Sequence, residues 1–279
     1  MRGAGLARIQ TGLSYAILGL LLVLVLFPFY WMTITSFKTE DQMRSLVSMF
    51  WPSPFAVENY EQLLRKTDFA IWYRNSALVA ISSTLVATAI GTIGAYALAR
   101  LRFSGRAFLS SATLITYLVP PSILFIPLYA QIRTMGLADS LVGLVAAYPS
   151  FTVPFVTWLL MGYFGSIPEE LEEAAMIDGA TRFGAFRRII LPLAAPGVLA
   201  AGLFAFTQAW NEFLYALVFI SDVKQRTLPV GLSTFITGDV YGWGYLMAGA
   251  VLTTLPVIAV YTYLQRYMVE GLTAGSVKG

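Results

Sequence analysis

Cysteine and histidine are both absent from this 279-residue chain, and charge is scarce. Without cysteine there is no disulfide and no thiolate metal site, and the redox compartment leaves no trace in the sequence. Without histidine, imidazole acid–base catalysis and His-ligated metal are excluded. Charged residues make up 12% of the chain, against about a quarter in soluble globular domains. No G-x-x-x-x-G-K-[ST] phosphate loop occurs, so ATP-driven work would need a separate ATPase chain. No Ser–His or carboxylate pair points to a membrane enzyme, and no catalytic residue is assigned.

What is present is apolar: 57% hydrophobic residues and a mean hydropathy of +0.70. Uncharged runs cover 13–34, 75–99, 107–132, 140–168 and 240–265, and a sixth run, 189–221, contains one charge, Glu212. Crossing a bilayer as a helix takes about 20 mostly apolar residues, and every run is long enough. The predicted fold class is an all-α integral membrane protein with six transmembrane helices in one domain over 1–279. The expected spans are about 13–34, 76–99, 108–132, 141–164, 192–220 and 243–265. The first run has 22 uncharged residues, more than the apolar core of a signal peptide, and no small-residue cleavage site follows Phe27–Trp31. It reads as a retained helix. Abundant Gly and Ala, including Gly91 and Gly94, suit close helix packing in lipid.

The pI near 9.1 and net charge of +3 would suggest nucleic acid in a soluble protein; here the basic residues read as topology determinants. Six spans put both termini on one side. That side then holds ten Lys and Arg residues against eight on the other. Arg100, Arg102 and Arg106 sit densely in one short loop, whereas five of the opposing eight lie in the long segment 35–74, where charge weighs less. The first side is therefore expected to be cytoplasmic. In segment 35–74, Pro52 and Pro54 mark a turn, and Tyr60, Leu63 and Leu64 suggest a short amphipathic helix. It is either a capped outer loop or a docking surface.

One region breaks the apolar rule. Of 15 acids, five (Glu169, Glu170, Glu172, Glu173, Asp178) fall within ten residues, and Arg182, Arg187 and Arg188 follow. Ser166-Ile167-Pro168-Glu169 reads as a capping box opening a helix, with acids at its positive end. Leu171, Ala174, Ala175 and Asp178 are spaced to form one narrow stripe of mostly small residues. Gly179 ends that helix, Thr181 caps a second, and Pro192 opens the next span. The region 166–191 is thus expected to be a helix–Gly–helix elbow whose small residues let another surface approach. A well-capped connector between two spans is the other reading.

The pattern Glu173-Ala174-Ala175, three residues, Gly179, nine residues, Ile189-Ile190-Leu191-Pro192 resembles the EAA loop of binding-protein-dependent ABC importer permeases. That resemblance implies a coupling helix that seats on a cytoplasmic ATPase through Leu171, Glu173, Ala174, Ala175, Asp178 and Gly179. "AWNEFLYAL" (209–217), "RTLPVGL" (226–232), "EGLTAGSVKG" (270–279), "SFKTE" and "NYEQLL" are similar to the smaller, maltose G-like subunit of carbohydrate permeases. The likeness covers essentially the whole chain. It implies a permease for a sugar or sugar derivative in a bacterial or archaeal plasma (inner) membrane. The partners implied are a second permease in a heterodimer, two ATPase subunits and an extracytoplasmic solute-binding protein, with the bilayer around them and no nucleic acid. No cofactor or metal is expected on this chain, since ATP and Mg would be used by the ATPase. A non-sugar solute such as a glycerol phosphate-type polyol ester is the alternative cargo. A secondary transporter should instead show internal repeats and several buried ionisable residues, neither of which is evident, and a channel would leave the elbow unexplained.

Glu212, beside Gln208 and Asn211, is the acid inside an apolar run. An intramembrane carboxylate is a functional candidate by default. Either it lies at the interface bonding a neighbouring helix, or it lines a translocation path with Gln208 and Asn211. Pro120, Pro121 and Pro127 should interrupt the third run, and Pro149 and Pro154 either kink or start helices in the fourth. Aromatics at run ends (Tyr30, Trp31, Tyr241, Trp243, Tyr267) fit an interfacial belt.

Overall fold

A computed structural model describes residues 2–45, 50–237 and 240–274. The stretch 275–279 of the C-terminal motif lies outside the described residues. In chain order the helices are α1 (Arg2–Ser36), α2 (Glu40–Arg44), α3 (Glu58–Lys66), α4 (Phe69–Arg100), α5 (Arg106–Leu118) and α6 (Pro121–Thr134). Then come α7 (Leu141–Ala147), α8 (Pro149–Ser166), α9 (Glu169–Ile177), α10 (Arg182–Ala185), a π-helical turn (Phe186–Ile190) and α11 (Leu191–Leu193). The chain closes with α12 (Ala195–Trp210), α13 (Leu214–Phe219), α14 (Leu228–Ser233) and α15 (Trp243–Ala274). A hairpin of two-residue strands, β1 (Ile236–Thr237) and β2 (Val240–Tyr241), pairs antiparallel before α15.

The protein is an all-α membrane protein. Among the described residues four helical stretches are long and apolar enough to cross a bilayer, and the number reaches six when each of two bent pairs is counted as one span. The bends have local causes. The third run breaks by 100° between α5 and α6. Val119 and Pro120 are both extended (ψ 123° and 128°), and Pro121 opens the new helix. A proline pushes its predecessor out of the helical region, so Pro120-Pro121 forces the break. The run 192–220 is also divided. A 74° bend separates Arg182–Leu193 from α12, which ends at Trp210 before α13 begins at Leu214. In the fourth run Pro149 opens α8 and Pro154 lies within it.

Two compact units divide the chain, 1–69 with 232–254 and 70–231 with 255–279. In the first, Asn59 Nδ2 donates to the carbonyls of Ser36 (2.9 Å) and Lys38 (2.8 Å), and Leu63 is fully buried. The expected inner stripe of α3 is therefore corrected: Asn59, Tyr60 and Leu63 face inward, whereas Leu64 is 51% exposed. Asn59 takes the inner place because it satisfies two carbonyls at the end of α1.

In the second unit α8 packs against α5 and α12. Ala95, Tyr96, Val156, Leu160, Phe164, Phe186, Ile190 and Ala201 form its core. At Gly91 a Cβ would lie 2.9 Å from the Val156 Cβ and 3.3 Å from the Thr157 nitrogen. Glycine there lets α4 and α8 approach closely, as small residues do in membrane bundles. The segment 221–228 is pinned from two sides. Trp72 Nε1 donates to the Val223 carbonyl (3.1 Å), and Asn75 Nδ2 to those of Lys224 (2.8 Å) and Arg226 (3.0 Å). Asp139 Oδ1 accepts from the Ser221 and Asp222 N–H groups at 2.7 and 2.9 Å.

Candidate functional site

The ionic stretch folds as two short helices joined at Gly179. Three of its acids, Glu169, Glu170 and Glu172, occupy the first turn of α9, where the helix dipole favours them. The predicted capping box is absent. Ser166 is the last residue of α8, its hydroxyl donates to the Tyr163 carbonyl at 2.8 Å, and α9 starts after Pro168 without a side-chain cap. Pro168 holds Ile167 extended and has no N–H, so the chain enters α9 as a sharp corner.

The end of α9 matches the expectation in atomic detail. Gly179 has φ +90°, its N–H bonds the Met176 carbonyl (3.1 Å), and Ala180 N–H bonds that of Ala175 (3.0 Å). These two bonds form a Schellman closure, which requires a left-handed residue at this place. Thr181 Oγ1 then accepts from Gly184 N–H at 3.1 Å and caps α10.

The rotation of α9 corrects the predicted stripe. Leu171, Glu173, Ala174, Asp178 and Gly179 are exposed, but Ala175 is only 7% exposed and faces the core. Glu172 is buried as well, and Tyr96 Oη donates to its Oε1 at 2.5 Å. The outward face also carries two large apolar residues that sequence reasoning passed over, Ile177 (86% exposed) and Phe183 (70%). No local signal singles them out, since Phe186 and Ile190 in the same stretch are equally apolar and buried. Among the described residues Glu173, Asp178, Arg187 and Arg188 have no ion-pair partner. Arg102 and Glu169 lie 3.6 Å apart, both well exposed, a geometry worth little on its own. The elbow thus offers a shallow face with apolar knobs and uncommitted charge of both signs.

The second candidate cluster separates. Gln208 lines a cavity of about 360 Å³ together with Tyr117, Pro120, Pro121, Ser150 and Phe151. Asn211 is turned back on its own helix, donating to the Thr207 carbonyl at 2.9 Å. Glu212 is turned inward. It accepts from Tyr148 Oη (2.8 Å), Tyr215 N–H (2.8 Å) and Ala216 N–H (3.1 Å). The helix break after Trp210 leaves the first N–H groups of α13 without intrahelical partners, and the carboxylate fills that need. Three donors offset the cost of placing a carboxylate there. Tyr215 Oη in turn donates to the Pro121 carbonyl at 3.0 Å, tying α13 to the broken third run. Among the described residues no group of three or more Asp or Glu side chains is arranged to hold a metal.

Bent apolar helices joined to an exposed helix–Gly–helix elbow make this chain a multi-pass membrane protein with a built surface outside its spans. The chain belongs to the family described as the binding-protein-dependent transport system inner membrane component, which it matches over residues 87–273. It is accordingly a multi-pass membrane protein and a transporter component, not an enzyme. It is 38% identical to the sulfoquinovosyl glycerol transport system permease of Agrobacterium fabrum, over 99% of this chain and 97% of that one. It is 36% identical to the trehalose/maltose transport system permease of Thermococcus litoralis, over 93% and 94%. A chain of a bacterial ABC transporter that imports the acidic polysaccharide alginate shares the fold, with a TM-score of 0.79, 23% identity and coverage of 93% and 96%.

Proposed function

We propose that this chain is one of two permease subunits in an ATP-driven importer that carries a sugar or sugar derivative inward across the inner membrane. The observation that carries this reading is the outward face of the elbow. Leu171, Ala174, Ile177 and Phe183 are exposed, as are Glu173, Asp178, Arg187 and Arg188, which have no ion-pair partner among the described residues. Such a face suits a soluble protein docking at the membrane surface, and the chain has no phosphate loop of its own. A pair of ATPase subunits is the partner, seated on Leu171, Glu173, Ala174, Asp178 and Gly179. Ala175 supports this face from beneath. The excess of arginine at this end (Arg100, Arg102, Arg106, Arg182, Arg187, Arg188) supports a cytoplasmic placement for the elbow and both termini.

The cargo class rests on the relatives, two of which are permeases for sugar-containing solutes. Gln208 presents an amide to the cavity beside Pro120 and Pro121, able to donate to and accept from sugar hydroxyls. Asn211 sits at the end of the same helix, and Glu212 supports the path from behind by fixing α13. The whole of 1–279 serves as one permease domain, working beside a second permease and an extracytoplasmic binding protein.

Co-expression of this chain with a candidate second permease, ATPase and binding protein tests the reading. The expected result is a complex whose ATP hydrolysis rises with sugar-loaded binding protein. A binding protein that recognised only amino acids or metals would overturn the cargo, and a transporting homodimer would overturn the heterodimer.

A further inference from the structure

The docking face accounts for the outward residues of α9, but not for Glu172, which points the other way. Its side chain is 6% exposed. Its one hydrogen-bond partner among the described residues is Tyr96 Oη, at 2.5 Å and 76 residues away in the chain. Tyr96 sits near the end of α4 and is held by aromatic contacts on two sides. Its ring lies 4.4 Å from that of Phe186 and 6.0 Å edge-on to that of Phe164. With the ring locked between α8 and the π-helical turn, its hydroxyl has a fixed direction, and that direction meets the α9 carboxylate.

We infer that the Tyr96–Glu172 hydrogen bond is a strut that makes α9 and the end of α4 move as one body, so that Tyr96 and Glu172 are positioning residues for energy coupling. This inference rests on the reading of the elbow as the ATPase contact. Three features support it. The strut joins the elbow to a membrane-spanning helix rather than to another part of the loop. The other polar ties between these elements lie at or before the first residue of α9: the exposed Arg102–Glu169 pair, and the Arg100 guanidinium donating to the Ile167 carbonyl. Finally, a hydrogen bond to a charged acceptor inside a buried setting is stronger and more directional than an exposed pair. Work delivered to Leu171, Ala174 and Ile177 on the outer face of α9 therefore reaches α4 through Glu172 on its inner face.

The absence of cysteine makes the test direct. Nitroxides are placed at Glu170→Cys on α9 and Ile93→Cys on α4, both exposed, and their dipolar distance is read in nanodiscs. The complex with its ATPase is compared without nucleotide and with ATP plus vanadate. The parent should give one narrow distance that is the same in both states. Tyr96→Phe keeps the ring packing and removes the hydroxyl; Glu172→Leu removes the acceptor. Each should raise the population of a second, nucleotide-dependent distance about tenfold, as expected for losing one charge-assisted hydrogen bond. Glu172→Gln retains an acceptor oxygen without the charge and should recover most of the narrow distance, more than Glu172→Leu does, which a role in packing alone would not explain. Narrow, state-independent distances in Tyr96→Phe and Glu172→Leu would overturn the strut. So would a parent distance that changes with ATP and vanadate. Failure of the ATPase to co-purify with the parent would instead sink the docking reading, and the distance widths in the permease without ATPase would still decide the strut.

Discussion

Two helix junctions in this protein carry conspicuous acids, and they use them in opposite ways. At the elbow, Glu173 and Asp178 face outward with no ion-pair partner among the described residues. At the break between α12 and α13, Glu212 faces inward and accepts three hydrogen bonds. The same chemical group is left uncommitted where a partner surface is expected and fully committed where the helix breaks. An acid in an apolar protein therefore identifies its role by its partners rather than by its rarity.

The comparison breaks most severely at Glu212. Glu212→Leu strands the Tyr148 hydroxyl and the Tyr215 and Ala216 N–H groups of α13. Each unsatisfied donor costs about 1–3 kcal/mol, so the loss should reach about 3 kcal/mol or more. The expected outcome is a marked drop in the thermal midpoint of the detergent-solubilised complex. A variant as stable as the parent would mean that the carboxylate is not structural. At the elbow the next largest effect belongs to Gly179. A valine at φ +90° is strained by about 1–3 kcal/mol and should disorder the turn between α9 and α10. Membrane insertion should persist while ATPase retention on an affinity column falls.

These two junctions also mark which parts of the fold are legible in the sequence. Hydropathy fixed the apolar runs because bilayer thickness demands length and little else. Gly179 and Pro120-Pro121 were legible because their backbone preferences are local. The Ser166 cap was misplaced because α8 continues through that residue, and a cap has meaning only once the preceding helix is known to have ended. The rotation of α9 was not legible either. Alanine and glutamate occur on both sides of it, so no hydrophobic pattern chose which of Ala174 and Ala175 would face outward. Glu212 was ambiguous for another reason: its partner Tyr148 lies 64 residues away, and no local spacing announces it.

Smaller effects sharpen the contrast. Ile177→Ser removes an apolar knob that is already exposed, so the isolated permease should keep its stability. Loss of that buried surface in the complex should weaken ATPase binding by about 1–2 kcal/mol, roughly tenfold, by surface titration. Arg102→Ala removes one arm of an exposed pair with Glu169. Its effect on stability should stay below about 1 kcal/mol and shrink further at high salt. A large effect would show that the ionic patch is an internal clamp instead of an open face.

On this reading the outward face of α9 is the contact through which the ATPase drives the permease. Ala174→Trp tests it most directly, because Ala174 is exposed and the substitution reaches no membrane-spanning helix. The measurement is ATPase affinity for the purified complex of this chain with its partner permease, alongside the thermal midpoint of that complex. The expected result is a lost or severely weakened ATPase interaction with the midpoint unchanged. Full ATPase affinity with tryptophan at this position would contradict the account and leave the elbow as a well-capped connector between two spans.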